Sequence, residues 1–178
     1  MRRPAPAAFL CAVTYREAAL AAQAEERLHG RLGEAVLRSA PLPFDHTDYY
    51  SDEMGEGLSK VLLFFGDLRD PGELPPVKRW TNTLEEQMAD SGRRRVNLDP
   101  GYLTASKLVL ASTKDAAHRL YLGEEIYGEV TLLYREGAFR ALPWTYPDYR
   151  QDSTLHFLEG CRRWYLDKMK AAGALREG

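Results

Sequence analysis

The sequence predicts an α+β fold: a mixed sheet with a β-α-β opening and a C-terminal antiparallel meander, its helices packed on one face. Three observations carry this expectation. Short apolar runs alternate with amphipathic helical segments through the first half of the chain. Segments of strand character separated by Gly-containing turns fill the second half. The composition is 44% hydrophobic and 28% charged, that of an ordinary globular chain. It excludes disordered, collagen-like, coiled-coil and membrane-spanning classes. A length of 178 residues fits a single domain over residues 1–178. Such a chain buries roughly 70% of the surface it exposes when unfolded, enough for a core without disulfides or a structural metal.

Phe9 to Val13 reads as a short buried strand. Thr14 and Glu17 match the S/T-x-x-E capping box, so a helix is expected there, with Leu20, Ala24 and Leu28 on its apolar face and Gly30 and Gly33 ending it. Glu34 to Ser39 is the second strand of the β-α-β unit. Pro41 to Gly57 has no clean period and several acidic residues, and reads as a loop. Lys60 to Phe65 is an apolar run that reads as a strand, although a helix fits it too. Pro75-Pro76 opens a helix, because proline suits the first turn. Val77, Trp80, Leu84 and Met88 form its core face, and Lys78, Asn82 and Glu85 another. Arg95 to Leu98 is a strand, followed by Asp99-Pro100-Gly101 as a turn. Lys107 to Ser112 is the next strand, and Arg119–Leu122, Ile126–Tyr134 and Ala138–Leu142 follow as a meander. Alternation puts Ile126, Gly128, Val130 and Leu132 on one face of the middle strand and Tyr127, Glu129 and Thr131 on the other. The last helix starts near Asp152 and buries Phe157, Cys161, Trp164, Tyr165 and Met169.

Charge narrows the partners. Lys+Arg is 24 and Asp+Glu is 26, a net charge of -2. A general polyanion binder carries a basic excess, so the balance argues against nucleic acid. Arg93-Arg94-Arg95 is the one basic run, expected to be a solvated end between two elements. Cys11 and Cys161 stand apart in apolar stretches, without metal-ligand spacing, as buried free thiols of a reducing compartment do. The apolar run after Arg2-Arg3 is too short for a convincing signal peptide, and no small-residue cleavage site follows. A cytoplasmic location and no membrane partner are the expectations.

No G-x-x-x-x-G-K-[ST] or G-x-G-x-x-G is present, and Thr113-Lys114-Asp115 lacks the spacer of the guanine-reading T-K-x-D signature, so an ordinary GTPase is excluded. His46-x-Asp48 with Glu53 nearby is a candidate hard-metal or acid/base cluster, although a local turn capped by Asp48, with His46 packed on Tyr49 or Tyr50, explains it better. No histidine pair has ligand spacing, so no metal is expected. Ser112-Thr113-Lys114-Asp115-x-x-His118-Arg119 gathers hydroxyl, ammonium, imidazole and guanidinium donors suited to a phosphate or carboxylate, or else to a polar strand connection. Glu129 sits mid-strand and needs a partner if its face is covered; Lys107 is the candidate. Trp144, Tyr146 and Tyr149 around Asp148 either stack a planar ligand or seal a core edge.

Five segments resemble those of a known family. They are Phe44-x-His46-Thr47-Asp48-Tyr49-Tyr50-x-x-Glu53-Met54-Gly55, Asn97-x-Asp99-Pro100-Gly101-Tyr102, Leu110-Ala111-Ser112-Thr113-Lys114-Asp115-x-x-His118-Arg119, Tyr127-x-Glu129-Val130-Thr131-Leu132 and Trp144-Thr145-Tyr146-Pro147-Asp148-Tyr149. Together, over nearly the whole chain, they resemble a bacterial family of unknown function, DUF4416. Members sometimes carry a GTP-binding label; without a phosphate loop here, the label does not transfer. The resemblance implies that these polar and aromatic segments share a site.

The leading expectation is a pocket for a small anionic ligand, a nucleotide or a phosphorylated or carboxylated metabolite. Lys107, Lys114 and Arg119 would clamp the anion. His46 and His118 would exchange protons, with Asp48, Glu53 or Glu129 orienting them or acting themselves. Tyr50, Tyr102 and Tyr146 would line the pocket, and Lys78, Asn97 and Ser112 complete the ligand-binding set. The alternative is a non-catalytic adaptor displaying Tyr49, Trp144 and Tyr149 on a flat surface, and a third reading is RNA binding through Arg93 to Arg95 and stacked aromatics. The sequence names no reaction, cofactor or oligomeric state.

Overall fold

The computed structural model describes residues 3–44, 54 and 56–173. Its fold is α+β. Strand β1 (Ala7–Tyr15) is buried along its whole length. Its odd-numbered residues Phe9, Cys11 and Val13 enter one core, and Ala8, Leu10 and Ala12 enter another on the opposite face. A strand covered on both faces reads as a continuous apolar run.

Helix α1 (Ala18–Leu32) follows. It does not use the expected capping box. Thr14 stays in β1, paired across to Lys60 and Asn97, and Glu17 is an extended N-cap residue with no side-chain cap bond. The Glu17 carboxylate is occupied by Arg95, at 2.9 and 3.0 Å. Gly33 ends the helix at φ 90, and β2 (Ala35–Arg38) begins two residues later. The long strand β4 (Leu58–Arg69) is antiparallel to both β1 and β2 and lies between them. The opening is therefore a split β-α-β unit. Strand β3 (Leu42–Phe44), within the segment expected to be a loop, pairs with Leu58–Lys60 on the same edge of β4 as β2. Most of that loop, residues 45–53 and 55, lies outside the described residues.

A short 3-10 turn (Pro71–Glu73) leads into α2 (Leu74–Gln87). Strand β5 (Val96–Leu103) runs straight through Asp99-Pro100-Gly101, which is not a turn. All three residues pair with β1, from Leu10 to Ala12. Pro100 is tolerated because the ladder to β6 (Lys107–Ser112) starts only at Gly101.

Strands β7 (Leu120–Gly123), β8 (Ile126–Arg135) and β9 (Ala138–Ala141) complete the sheet. The order is β2-β4-β1-β5-β6-β8-β7, with β3 on β4 and β9 on β8. Every ladder is antiparallel, where a mixed sheet was expected. The meander is also reordered: β8 takes the place beside β6 and leaves β7 at the edge. The β7–β8 and β8–β9 turns hold Glu124, Glu125, Glu136 and Gly137 at positive φ, as the twist of two-residue hairpin turns requires. An irregularity in the β6–β8 register opposes Leu108 to Leu132 but Val109 to Val130. It turns Leu132 to the opposite face from Ile126 and Val130, so the expected one-faced alternation breaks there.

Helices α1 and α2 pack on one face, and α3 (Asp152–Ala171) covers the other with Leu158, Cys161, Tyr165 and Met169. One-sided packing would have left Leu10, Leu62 and Phe64 in water. Cys11 and Cys161 are free and buried. No helix among the described residues is long and apolar enough to cross a membrane.

Candidate functional site

Strands β5 and β6 pair only between Gly101–Leu103 and Leu108–Leu110. Beyond that short ladder β5 extends back to Val96 and β6 forward to Ser112 with no bond between them, so the sheet opens. Gly101 stands at the vertex. A Cβ there would lie 2.4 Å from the Val109 carbonyl oxygen, so the close approach needs glycine. Helix α2 packs over the opening and turns its polar row, Lys78, Asn82 and Glu85, into a cleft of about 540 Å³.

One wall comes from α2 and β5. The Lys78 ammonium donates to the Leu98 carbonyl at 2.9 Å and to Asp99 Oδ1 at 3.2 Å. Asn97 Nδ2 donates to Asp99 Oδ2 at 2.7 Å, and Arg94 Nη1 donates to Asn97 Oδ1 at 2.9 Å. The Leu98 amide donates to Glu85 Oε1 at 2.6 Å, while Arg94 Nε stands 3.5 Å from Glu85 Oε2. Burial pushes the Glu85 carboxyl up to about 7, against the pull of Lys78, the Leu98 amide and Arg94. Burial works the same way on Asp99, but Lys78 and Lys60 overcome it and hold that carboxyl below its usual range. Two neighbouring carboxyl groups are thus driven apart in acidity, the arrangement that divides protonated from ionised roles in acid–base sites.

The facing wall comes from β6, β8 and the connection between β6 and β7. Glu129, 2% exposed, accepts from Arg119 Nε at 3.0 Å and lies 2.9 Å from His118 Nε2, both on Oε2. Arg119 also donates to Ser112 Oγ at 2.8 Å, the Lys114 carbonyl at 2.9 Å and the Tyr146 hydroxyl at 3.1 Å. His118 stacks on Trp144 with ring centroids 5.2 Å apart, and the Trp144 indole donates to the Val130 carbonyl at 2.8 Å. At the β4 end, the buried Lys60 ammonium donates to Asp148 Oδ2 at 2.6 Å and sits 4.0 Å from the centre of the Phe44 ring.

Seven residues expected from the sequence line this cleft: Lys78, Asn97, Ser112, Lys114, Arg119, Glu129 and Tyr146. His118 stands behind the wall, holding Glu129. Two do not reach it. Lys107 lies at the far end of β6, opposite Leu133, so it is neither an anion clamp nor the partner of Glu129. Tyr102 points to the α1 and α2 face and packs on Phe9, at 6.3 Å between ring centroids. His46, Asp48, Tyr50 and Glu53 lie outside the described residues. Arg93-Arg94-Arg95 is not a bare solvated end, because Arg94 pairs with Glu85 and Asn97, and Arg95 with Glu17.

Sequence reasoning missed Lys60, Glu85, Arg94, Asp99 and Asp148 as site residues. Lys60 hides in an apolar run, and Asp99 belongs to a tripeptide that reads as a turn. Glu85 and Lys78 share a helical face; recognising that this face is buried required knowing what packs over it. Among the described residues no group of three or more His, Cys, Asp or Glu could hold a metal ion.

No curated protein and no solved structure matches the chain. A family model does, described as a domain of unknown function (DUF4416), and it spans residues 5–165. That range takes in the split β-α-β unit, α2, both walls of the cleft and most of α3, and the chain belongs to this family.

Proposed function

We propose that the cleft binds a small molecule carrying an anionic group, a nucleotide or a phosphorylated or carboxylated metabolite. The observation that carries this reading is convergence. Lys60 of β4, Lys78 of α2, Arg94 of the α2–β5 connection, and Lys114 and Arg119 of the β6–β7 connection all border one cleft. Glu85, Glu86, Asp99, Glu129 and Asp148 balance them. A ligand anion enters by sharing cations already held in place, which lowers the ordering cost of binding. Tyr146, half exposed at the rim, offers a face to a planar group. Glu85 supplies a proton-exchanging carboxyl and the His118–Glu129 pair a second such group, so the reading extends to acid–base chemistry on the ligand. The buried free thiols support a reducing compartment, and we place the protein in the cytoplasm.

A thermal-shift screen with ATP, GTP, sugar phosphates and dicarboxylates tests this. Ligand at one hundred times its Kd stabilises the folded state by about 2.7 kcal/mol, a rise of roughly 5–10 °C in Tm for a chain of this size. The gain should vanish in Lys114→Ala, a substitution at an exposed position. A silent panel counts against the reading.

One observation favours a second reading as an adaptor. The edge strand β7 exposes Leu120, Tyr121 and Leu122 at 73%, 63% and 41%. Apolar edge strands invite pairing with another chain. On that reading a Leu120→Lys/Tyr121→Lys double variant loses a protein partner in a pull-down; under the leading reading it binds the small ligand unchanged.

A further inference from the structure

We infer that an oxyanion bound in the cleft beside Arg94 and Lys78 brings a proton with it onto Glu85. This rests on the cleft being a ligand site, as proposed above. Glu85 is 5% exposed and faces the opening between β5 and β6. Its two oxygens are treated differently. Oε1 is fixed by the Leu98 amide at 2.6 Å, whereas Oε2 has Arg94 Nε at 3.5 Å, beyond a good hydrogen bond. Arg94 is about one-third exposed, and its Nη1 is committed to Asn97.

The charges around Glu85 come from several elements. Lys78 is on the same helix, one ammonium shared between the Leu98 carbonyl and Asp99. Arg94 comes from the following connection and the ionised Asp99 from β5. The buried Cys11 thiol of β1 feels the Glu85 charge. Across the opening, β6 presents Ser112 and β8 presents Glu129, whose Oε2 is taken by Arg119 and His118. The two cations nearest Glu85 hold it at about 7 against burial. An oxyanion competing for those cations withdraws them and adds a like charge. Both changes favour the protonated carboxyl. Once protonated, Oε2–H becomes a donor to the anion, and among the described residues lining the cleft the cations outnumber the carboxylates by one. The proton is taken from solvent on binding and returned on release. Phosphate, sulfate and carboxylate groups share this chemistry.

The test uses the full chain labelled with 13C-glutamate, titrated by NMR in sodium sulfate and in sodium chloride at matched ionic strength. Sulfate does not titrate in this range. The Glu85 signal is the one missing from Glu85→Gln, a variant that keeps an oxygen for the Leu98 amide. The midpoint is expected near 7 in chloride, and sulfate should raise it by about one pH unit. Arg94→Gln should raise it in chloride alone. Thermal melts in both salts run alongside, with Lys114→Ala as control. A chloride midpoint below about 5 overturns the inference, since an ordinary glutamate titrates there. A sulfate-dependent Tm gain that Lys114→Ala abolishes, with an unmoved Glu85 midpoint, overturns the proton coupling and leaves the binding reading standing. Loss of both the Tm gain and the midpoint shift overturns both.

Discussion

Glu129 offers a measurable link between the cleft and the stability of the fold. Its side chain is 3% exposed and that of Arg119 is 7% exposed, with 3.0 Å between the carboxylate and the guanidinium. In Glu129→Ala the guanidinium keeps Ser112, the Lys114 carbonyl and Tyr146 as acceptors but loses its carboxylate. Removing one member of a buried ion pair costs about 3–5 kcal/mol, mostly from the charge left behind. At roughly 2–4 °C per kcal/mol in a chain of this size, Tm falls by about 10 °C. Glu129→Gln retains an oxygen for Arg119 Nε and loses about half as much, the difference between a neutral and a charge-assisted bond. The decisive variant is the double replacement Glu129→Leu/Arg119→Met. It removes both charges and should recover at least half of the loss in Glu129→Ala. Urea unfolding at pH 7 of these variants, of the single replacements Glu129→Leu and Arg119→Met, and of the parent measures this. A Glu129→Ala variant within 1 kcal/mol of the parent, or a double variant that merely sums its single costs, refutes the buried-pair reasoning.

Two further variants probe the neighbouring features. A carboxyl whose folded value lies above its unfolded one keeps its proton longer in the folded state. For Glu85, stability therefore falls as pH rises from about 4.5 to about 7 and is flat above. The upper limit is about 3 kcal/mol across the window, and this slope should remain when the Glu85→Gln profile is subtracted from the parent's in urea titrations at stepped pH; a flat difference would refute it. Gly101→Ala forces a Cβ against the Val109 carbonyl and Leu110, both part of β6. It should cost at least about 2 kcal/mol, because the contact is backbone and the strands must separate at the vertex; an unchanged urea midpoint would show that the vertex closes without glycine.

Much of the fold is written locally. β6 spans the Lys107–Ser112 segment expected of it, and both hairpin turns fall at the Glu-Glu and Glu-Gly positions. Strand order is not local. Nothing in Arg119–Tyr134 says that β8, not β7, pairs with β6, and that choice carries Glu129 to the cleft. Asp99-Pro100-Gly101 misleads for the same reason: its residue types favour a turn, and only the neighbouring β1 ladder keeps it extended. The site was legible where polar residues cluster in sequence, as in Ser112 to Arg119. It was illegible where one polar residue stands among apolar ones, as with Lys60, because burial of a single charge is decided by a partner 88 positions away. Lys107 shows the converse: its type is right for an anion, but five residues of strand carry it to the other end of β6.

The cleft concentrates what a stable core avoids. Lys60–Asp148, Lys78–Asp99, Arg94–Glu85 and Arg119–Glu129 are four ion pairs, each with at least one side chain under one-tenth exposed, around one opening. Buried pairs of this kind contribute little net stability, and apolar replacements often do as well. They could not sit within a closed ladder, where Leu10, Leu62 and Leu103 fill the space between sheet and helix. They sit where β5 and β6 part, and the parting is held by a glycine that brings the strands together at one end and a proline that forgoes a ladder bond at the next residue. A sheet split open in this way, filled with charges that cancel one another, gains nothing for folding that a continuous β5–β6 ladder would not supply better. It gains a cavity whose charges hold one another in place, the preorganisation that the proposed anion site needs. If Glu129→Leu/Arg119→Met proves nearly as stable as the parent while losing the ligand-induced rise in Tm, that separation of stability from binding is the expected signature.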